Sequence, residues 1–230
     1  MMDTTTFIDS AVAEWAEKNI VFLKVNGEDN SGVRHNHTPF ADSLGLKAYP
    51  TLILLRADGT EIDRAVGYMD ATAFIQTFTD YIHDKNTLGD YLRRLKTDNS
   101  AENNYLIAEK YRWRGKSKDA ETYLQAAMEQ DSANASGFRA KAMFSLADLS
   151  RRDKQHATAL ARFRAYSAEF PTGADIESAD IYIAICSASA GDTAGAIGAY
   201  EEFIKKHPSS EDTSYAREQI AELRGTLDKK

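Results

Sequence analysis

Residues 44–70 read LGLKAYPTLILLRADGTEIDRAVGYMD. Pro50 to Leu55 is a short apolar run with the composition of a buried strand. Ala57-Asp58-Gly59-Thr60 follows with Asp-Gly chemistry, the strongest short-range signal for a hairpin. Glu61 to Val66 then alternates, with Ile62 and Val66 on one side and Asp63 on the other, so it is expected to return antiparallel. Gly67 ends that strand. Asp70 is placed to cap a helix carrying Phe74, Phe78, Tyr81 and Ile82 on one face. Asp58 and Glu61 flank the turn and read as turn chemistry, not as a catalytic carboxylate pair.

Working back from this stretch, Phe7, Ile8, Val12, Trp15 and Ala16 fall at helical spacing, with Asp9 or Ser10 able to cap. The run Ile20-Val21-Phe22-Leu23-Lys24-Val25 reads as a second buried strand ending at Asn26-Gly27. A loop rich in Asn, Ser and His follows. Pro39 to Leu44 has the look of one or two helical turns, stopped by Gly45. His35 and His37 lie two residues apart in that loop, but no closed ligand set has recognisable spacing, so a solvated loop is the better reading. Residues 27–40 are also placed to shape access near Pro50. No metal site and no cofactor are expected.

The whole chain has 230 residues and a formal charge of −7, unevenly spread. Residues 1–86 hold 7 Lys and Arg against 13 Asp and Glu, whereas 87–230 hold 21 against 22. An acidic chain repels phosphate, which disfavours nucleic acid as a partner. No apolar run approaches the roughly 20 residues of a membrane span. Residues 1–19 are too polar for the apolar core of a secretion signal. A phosphate loop, a dinucleotide fingerprint, a nucleophile elbow and zinc-finger spacing are all lacking.

From about residue 87 the pattern turns wholly helical, with breaks at Gly115, Asp153, Gly173, Gly191 and Pro208. A repeat emerges there. Ala108, Gly115, Ala120 and Ala127 sit where two helices of a hairpin must approach closely, with Tyr111 and Leu124 as the bulk between them. Ala147, Ala159, Phe163 and Pro171 take the same relative places in a second unit, and Ala184, Gly191, Ala196, Tyr200 and Pro208 in a third. This register resembles the tetratricopeptide repeat family. It departs from that pattern at Asp180, where a large aromatic is usual, at Lys154, which replaces a turn glycine, and at Tyr166, which replaces a small residue. The units run about 101–134, 140–173 and 177–210. Residues 211–228 supply the amphipathic capping helix such arrays require. The resemblance implies a concave face that binds a protein or peptide, while packing on the first domain alone stays open. Trp113 reads as packing against the next hairpin. The pairs Arg93-Arg94 and Arg151-Arg152 read as solvated faces.

Ala48-Tyr49-Pro50-Thr51, the Asp-Gly hairpin and Val66-Gly67-Tyr68 together resemble the second half of a thioredoxin-like domain. Met2-Asp3 followed by Thr5-Thr6-Phe7 is similar to a subgroup related to the C-terminal domain of bacterial thiol–disulfide interchange proteins. The fold implied is α/β plus all-α. An incomplete thioredoxin-like domain (1–84) is followed by a linker helix (85–100) and the tetratricopeptide-like array (101–230). The family implies a cis Pro50, with Tyr49, Pro50 and Thr51 as the substrate-binding half of the site. It also implies two active-site cysteines and a central strand ahead of Met1. Cys186, the one cysteine, lies on a repeat helix and reads as a buried, inert small hydrophobe.

Removing that central strand would strip backbone partners from the runs at 20–26 and 51–56. Three readings stay open: an N-terminally shortened form of a longer protein, a degenerate redox-inactive module in which the two runs pair directly, or a strand donated by a partner chain. The function expected is that of a thioredoxin-family thiol–disulfide oxidoreductase, inactive in these residues alone, with the array holding a client or partner protein. The alternative is a non-enzymatic protein-interaction scaffold. The subgroup resemblance points to the bacterial cell envelope or periplasm, without closing off the cytoplasm.

Overall fold

The computed structural model describes residues 2–24, 44–46 and 48–227. The chain divides into two compact units, Met1–Asn99 with Leu106–Ala120, and Ser100–Tyr105 with Glu121–Lys230.

The first unit is α/β. Helix α1 (Ser10–Asn19) starts at Asp9, whose carboxylate accepts the Ala11 N–H at 2.8 Å. Strands β1 (Thr51–Leu55) and β2 (Glu61–Val66) form an antiparallel pair in which Thr51 faces Val66 and Leu54 faces Asp63. An irregularity between Leu54 and Leu55 brings Leu55 opposite Glu61. The turn between them is held by Asp58, whose Oδ1 accepts the Thr60 N–H at 2.9 Å. Helix α2 (Ala71–Ile82) is capped by Asp70, which accepts the Ala73 N–H at 2.8 Å. Helix α3 (Leu88–Arg94) follows, capped by Thr87.

The core of this unit joins Val12 of α1 to Leu54 and Ala65 of the hairpin and to Phe74, Phe78 and Tyr81 of α2. Phe74 sits at its centre, with ring centroids of Phe7, Trp15, Phe22 and Phe78 within 5.9 Å. Burying one such side chain is worth about 1.5–3 kcal/mol. The Trp15 indole N–H donates to Thr79 Oγ1 at 3.0 Å, so its polar end is met as well.

One expected strand does not form within the described residues. Ile20–Lys24 has no regular secondary structure and no ladder partner, although Ile20 itself is extended. Val21 is 97% exposed and Leu23 is exposed too, while Phe22 is pinned by Phe7 and Phe74. Apolar, β-branched composition favours a strand only where another strand lies alongside to pair with. The rest of that run, the loop at 27–40, His35, His37 and most of 39–44 lie outside the described residues.

The helices that follow are α4 (Ala101–Trp113), α5 (Ser117–Gln130), α6 (Phe138–Arg152), α7 (His156–Glu169), α8 (Ile176–Ser189), α9 (Thr193–Lys206) and α10 (Thr213–Leu227). Three hairpin turns share one geometry. Gly115, Lys154 and Gly191 have φ of +68°, +59° and +83°. The next residue's N–H in each case returns to a carbonyl five residues back: Lys116 to Tyr111, Gln155 to Ser150 and Asp192 to Ser187. That bond meets a carbonyl the helix end would otherwise leave bare. The small residues of the repeat, Ala120, Ala159 and Ala196, are fully buried.

In the second unit, Phe163 and Tyr166 of α7 pack with Ala147 of α6 and with Ala179 and Cys186 of α8. Tyr200 and Phe203 of α9 pack with Ala184 of α8 and with Ala216 and Ile220 of α10. Asp180 lies buried in place of the usual aromatic. It pairs with His207 Nε2 at 3.0 Å and accepts from Ser167 Oγ at 3.3 Å. The pair Arg151-Arg152 is more than a solvated face. Both guanidiniums bind the buried Asp148, at 2.6 and 2.7 Å, and Arg151 stacks over the Tyr182 ring at 4.3 Å. A buried carboxylate needs such partners.

Candidate functional site

Tyr49, Pro50 and Thr51 form the entry to β1. The Tyr49–Pro50 peptide bond is cis. The Pro50 carbonyl accepts the Gly67 N–H at 2.9 Å, which joins this entry to the exit of β2. Gly67 has φ of +99° with nothing near its absent Cβ, so conformation, not space, calls for glycine there. The Thr51 hydroxyl donates to the Ala48 carbonyl at 2.6 Å and closes the bend ahead of the strand. The Thr6 hydroxyl donates to the Met69 carbonyl, tying the start of the chain to the same end of the hairpin.

Two tyrosines are left in the open at this end. Tyr49 is 58% exposed and Tyr68 is 52% exposed. Tyr49 is legible in the sequence as a site residue, whereas Tyr68 is legible only as part of the hairpin motif. Its signal was its place just past the strand end that faces Pro50.

Backbone direction matters as much. The Pro50–Gly67 bond fixes which pairs of the ladder are hydrogen-bonded. The alternation then turns the backbone groups of Leu52 and Leu54 toward β2 and those of Thr51 and Ile53 outward. Beyond the irregularity, Arg56 N–H donates to the Thr60 carbonyl at 2.8 Å, which leaves Leu55 outward as well. Among the described residues no second strand pairs with β1. Among the described residues the site is therefore an exposed aromatic end leading into an unpaired row of backbone donors and acceptors.

The chain's one cysteine lies elsewhere, on α8. Cys186 is fully buried, and burial pushes its thiol above the ordinary range; the nearby Arg151 pulls it down and Asp148 pushes it up. A thiol in that state is a poor nucleophile, since the thiolate is the reactive form. Among the described residues no group of three His, Cys, Asp or Glu side chains could hold a metal ion. No helix there is long and apolar enough to cross a membrane.

Residues 1–82 match the family model of a thioredoxin-like domain. Residues 138–218 match that of an outer membrane lipoprotein family. The chain joins a thioredoxin-like region to a tetratricopeptide-like array. No curated protein matches it. The thioredoxin-like match runs from the chain's start through the Tyr49–Thr51 entry to the end of α2. The lipoprotein match covers α6 to α9 and the first turns of α10.

Proposed function

We propose that the chain is a polypeptide-binding protein of thiol–disulfide exchange type. In this reading Tyr49, Pro50 and Thr51 dock an extended substrate backbone, and the array at 101–230 holds a client or partner protein. The observation that carries the reading is the exposed Tyr49–Pro50 entry running into an edge of β1 that no described residue pairs with. An extended peptide meets such an edge with its own main chain and takes specificity from side-chain pockets beside it. The thioredoxin-like match over 1–82 supports the redox setting, and the lipoprotein match supports the bacterial cell envelope.

The chemistry of the type needs a thiolate that attacks a disulfide and a second thiol that resolves the mixed disulfide. One cysteine in 230 residues does not supply that pair. The division into 1–84, a linker at 85–100 and repeats at 101–134, 140–173 and 177–210 belongs to the same proposal.

A photo-crosslinking residue placed at Tyr49 or Tyr68 in the native host tests the docking. Polypeptide adducts are expected from both positions and not from Glu17 on the exposed side of α1. Their absence from Tyr49 and Tyr68 would refute the docking site. A second reading, a scaffold without redox activity, is favoured by the buried state of Cys186. The two readings part on disulfide reduction with dithiothreitol as electron source. The 230 residues should give the uncatalysed rate under both. A natural form carrying a Cys-x-x-Cys pair should give catalysis under the first alone.

A further inference from the structure

Strand β2 carries a carboxylate into the interior. Asp63 is fully buried, and a buried carboxylate is costly unless each oxygen is met by donors. Oδ1 accepts the Arg64 backbone N–H and Arg114 Nη2, both at 2.7 Å. Oδ2 accepts the Leu88 N–H at 2.7 Å and Lys110 Nζ at 2.9 Å.

Glu61 lies beside it. Its Oε1 accepts Arg64 Nε at 2.9 Å and pairs with Arg114 Nη2 at 2.8 Å, and its Oε2 accepts Arg64 Nη2 at 2.5 Å. Arg64 reaches on to the Trp113 carbonyl at 3.3 Å. Lys110 also donates to the Tyr81 hydroxyl at 2.8 Å, and Tyr81 in turn donates to the Arg64 carbonyl at 3.1 Å. Two carboxylates and three cations thus knit β2 to the end of α4, across 47 to 53 positions of sequence. Burial lowers the Lys110 ammonium from its ordinary range, and the charge of Asp63 opposes that.

We propose that this cluster is a lock that makes β2 and residues 106–114 open and close as one cooperative unit. The chain's own division supports it, since Leu106–Ala120 groups with the α/β residues and not with the rest of the array. Partners this deeply buried cannot separate singly, because each would leave an unpaired charge away from water. The lock also bears on the hairpin's other end, where Gly67, one residue past β2, holds the Pro50 carbonyl. It stands independently of the docking reading.

Hydrogen exchange followed by mass spectrometry on the full chain tests it, with Asp63→Asn and Lys110→Met as variants. In the native protein, 61–66 and 106–114 should share one opening equilibrium. Asp63→Asn leaves two cations short of a counter-charge and should speed exchange in both segments on the order of a hundredfold. Lys110→Met should speed both by a common, smaller factor on the order of tenfold. Residues 176–206 should not change in either variant. If Asp63→Asn fails to fold, Lys110→Met decides alone. Faster exchange confined to 106–114, faster exchange equally throughout the chain, or no change in either segment would overturn the proposal.

Discussion

The two units treat their large apolar residues differently. Among the described residues of the helical unit, Tyr215 stands exposed. In the α/β unit Ile8, Val21, Phe22, Leu23, Tyr49, Tyr68 and Ile82 do. The contrast follows from where each element finds its partners. A helix satisfies its backbone internally and needs only the neighbouring hairpin to bury its stripe. A strand leaves backbone donors and acceptors along both edges and satisfies each only where another strand lies alongside. Helices α6 to α10 find their partners in the neighbouring hairpins, while among the described residues β1 is paired along one edge.

The largest expected effect separates the units outright. Both tryptophans, Trp15 and Trp113, fall in the α/β unit, so intrinsic fluorescence reports on it alone, while helical circular dichroism is weighted to the array. Phe74→Ala removes the centre of the α/β core and should cost about 3–5 kcal/mol. The fluorescence transition should fall and most of the dichroism transition should stay. Phe163→Ala should do the reverse at a similar cost. If each variant moved both transitions equally, the units would be one cooperative body and the comparison would fail.

Alkaline pH should weaken both units, by different tyrosines. Burial, and then the charge of Asp63, raise the Tyr81 hydroxyl above its ordinary range. Burial, and then a hydrogen bond with Tyr215, do the same for Tyr200. A raised folded pKa means stability that is full below the unfolded value of about 10 and lost as pH rises beyond it. Denaturant midpoints by both probes should therefore fall above about pH 10. Tyr200→Phe should flatten the decline seen by dichroism but not that seen by fluorescence. Equal flattening in both signals would contradict the assignment.

A smaller effect sharpens the account of the array. Lys154 holds the left-handed conformation that glycine holds at 115 and 191. Lys154→Gly should raise the dichroism midpoint by up to about 1 kcal/mol in stability, and Gly191→Ala should lower it by about 1 kcal/mol. A destabilised Lys154→Gly would mean that the lysine side chain contributes more than its backbone strain.

These residues also show what sequence could carry. The spacing of Ala120, Ala159 and Ala196 exposes the array because each repeat solves the same local problem, and Lys154 departs from the repeat at a position whose φ is positive. The Asp-Gly turn and the caps at Asp9 and Asp70 were legible for the same reason, since their chemistry spans a few residues. Ile20–Lys24 was misread because composition reports that a run is apolar, not whether a strand lies beside it. Asp63 was placed opposite the apolar side of β2, and Glu61 was assigned to the turn. Their true partners, Lys110 and Arg114, lie about 50 positions away and share no periodicity with them. Of the candidate site, Tyr49 and Pro50 were found through motif resemblance. The place of Tyr68 opposite them depends on the ladder register.

Among the described residues β1 has one paired edge and one open edge beside Tyr49–Pro50, and residue-resolved amide exchange by NMR reads this directly. Leu52 and Leu54, turned toward β2, should be strongly protected, while Thr51, Ile53 and Leu55 should exchange near the rate of an unstructured chain. Protection of Ile53 equal to that of Leu52 would show a second partner on β1 and contradict the open edge on which the docking site depends.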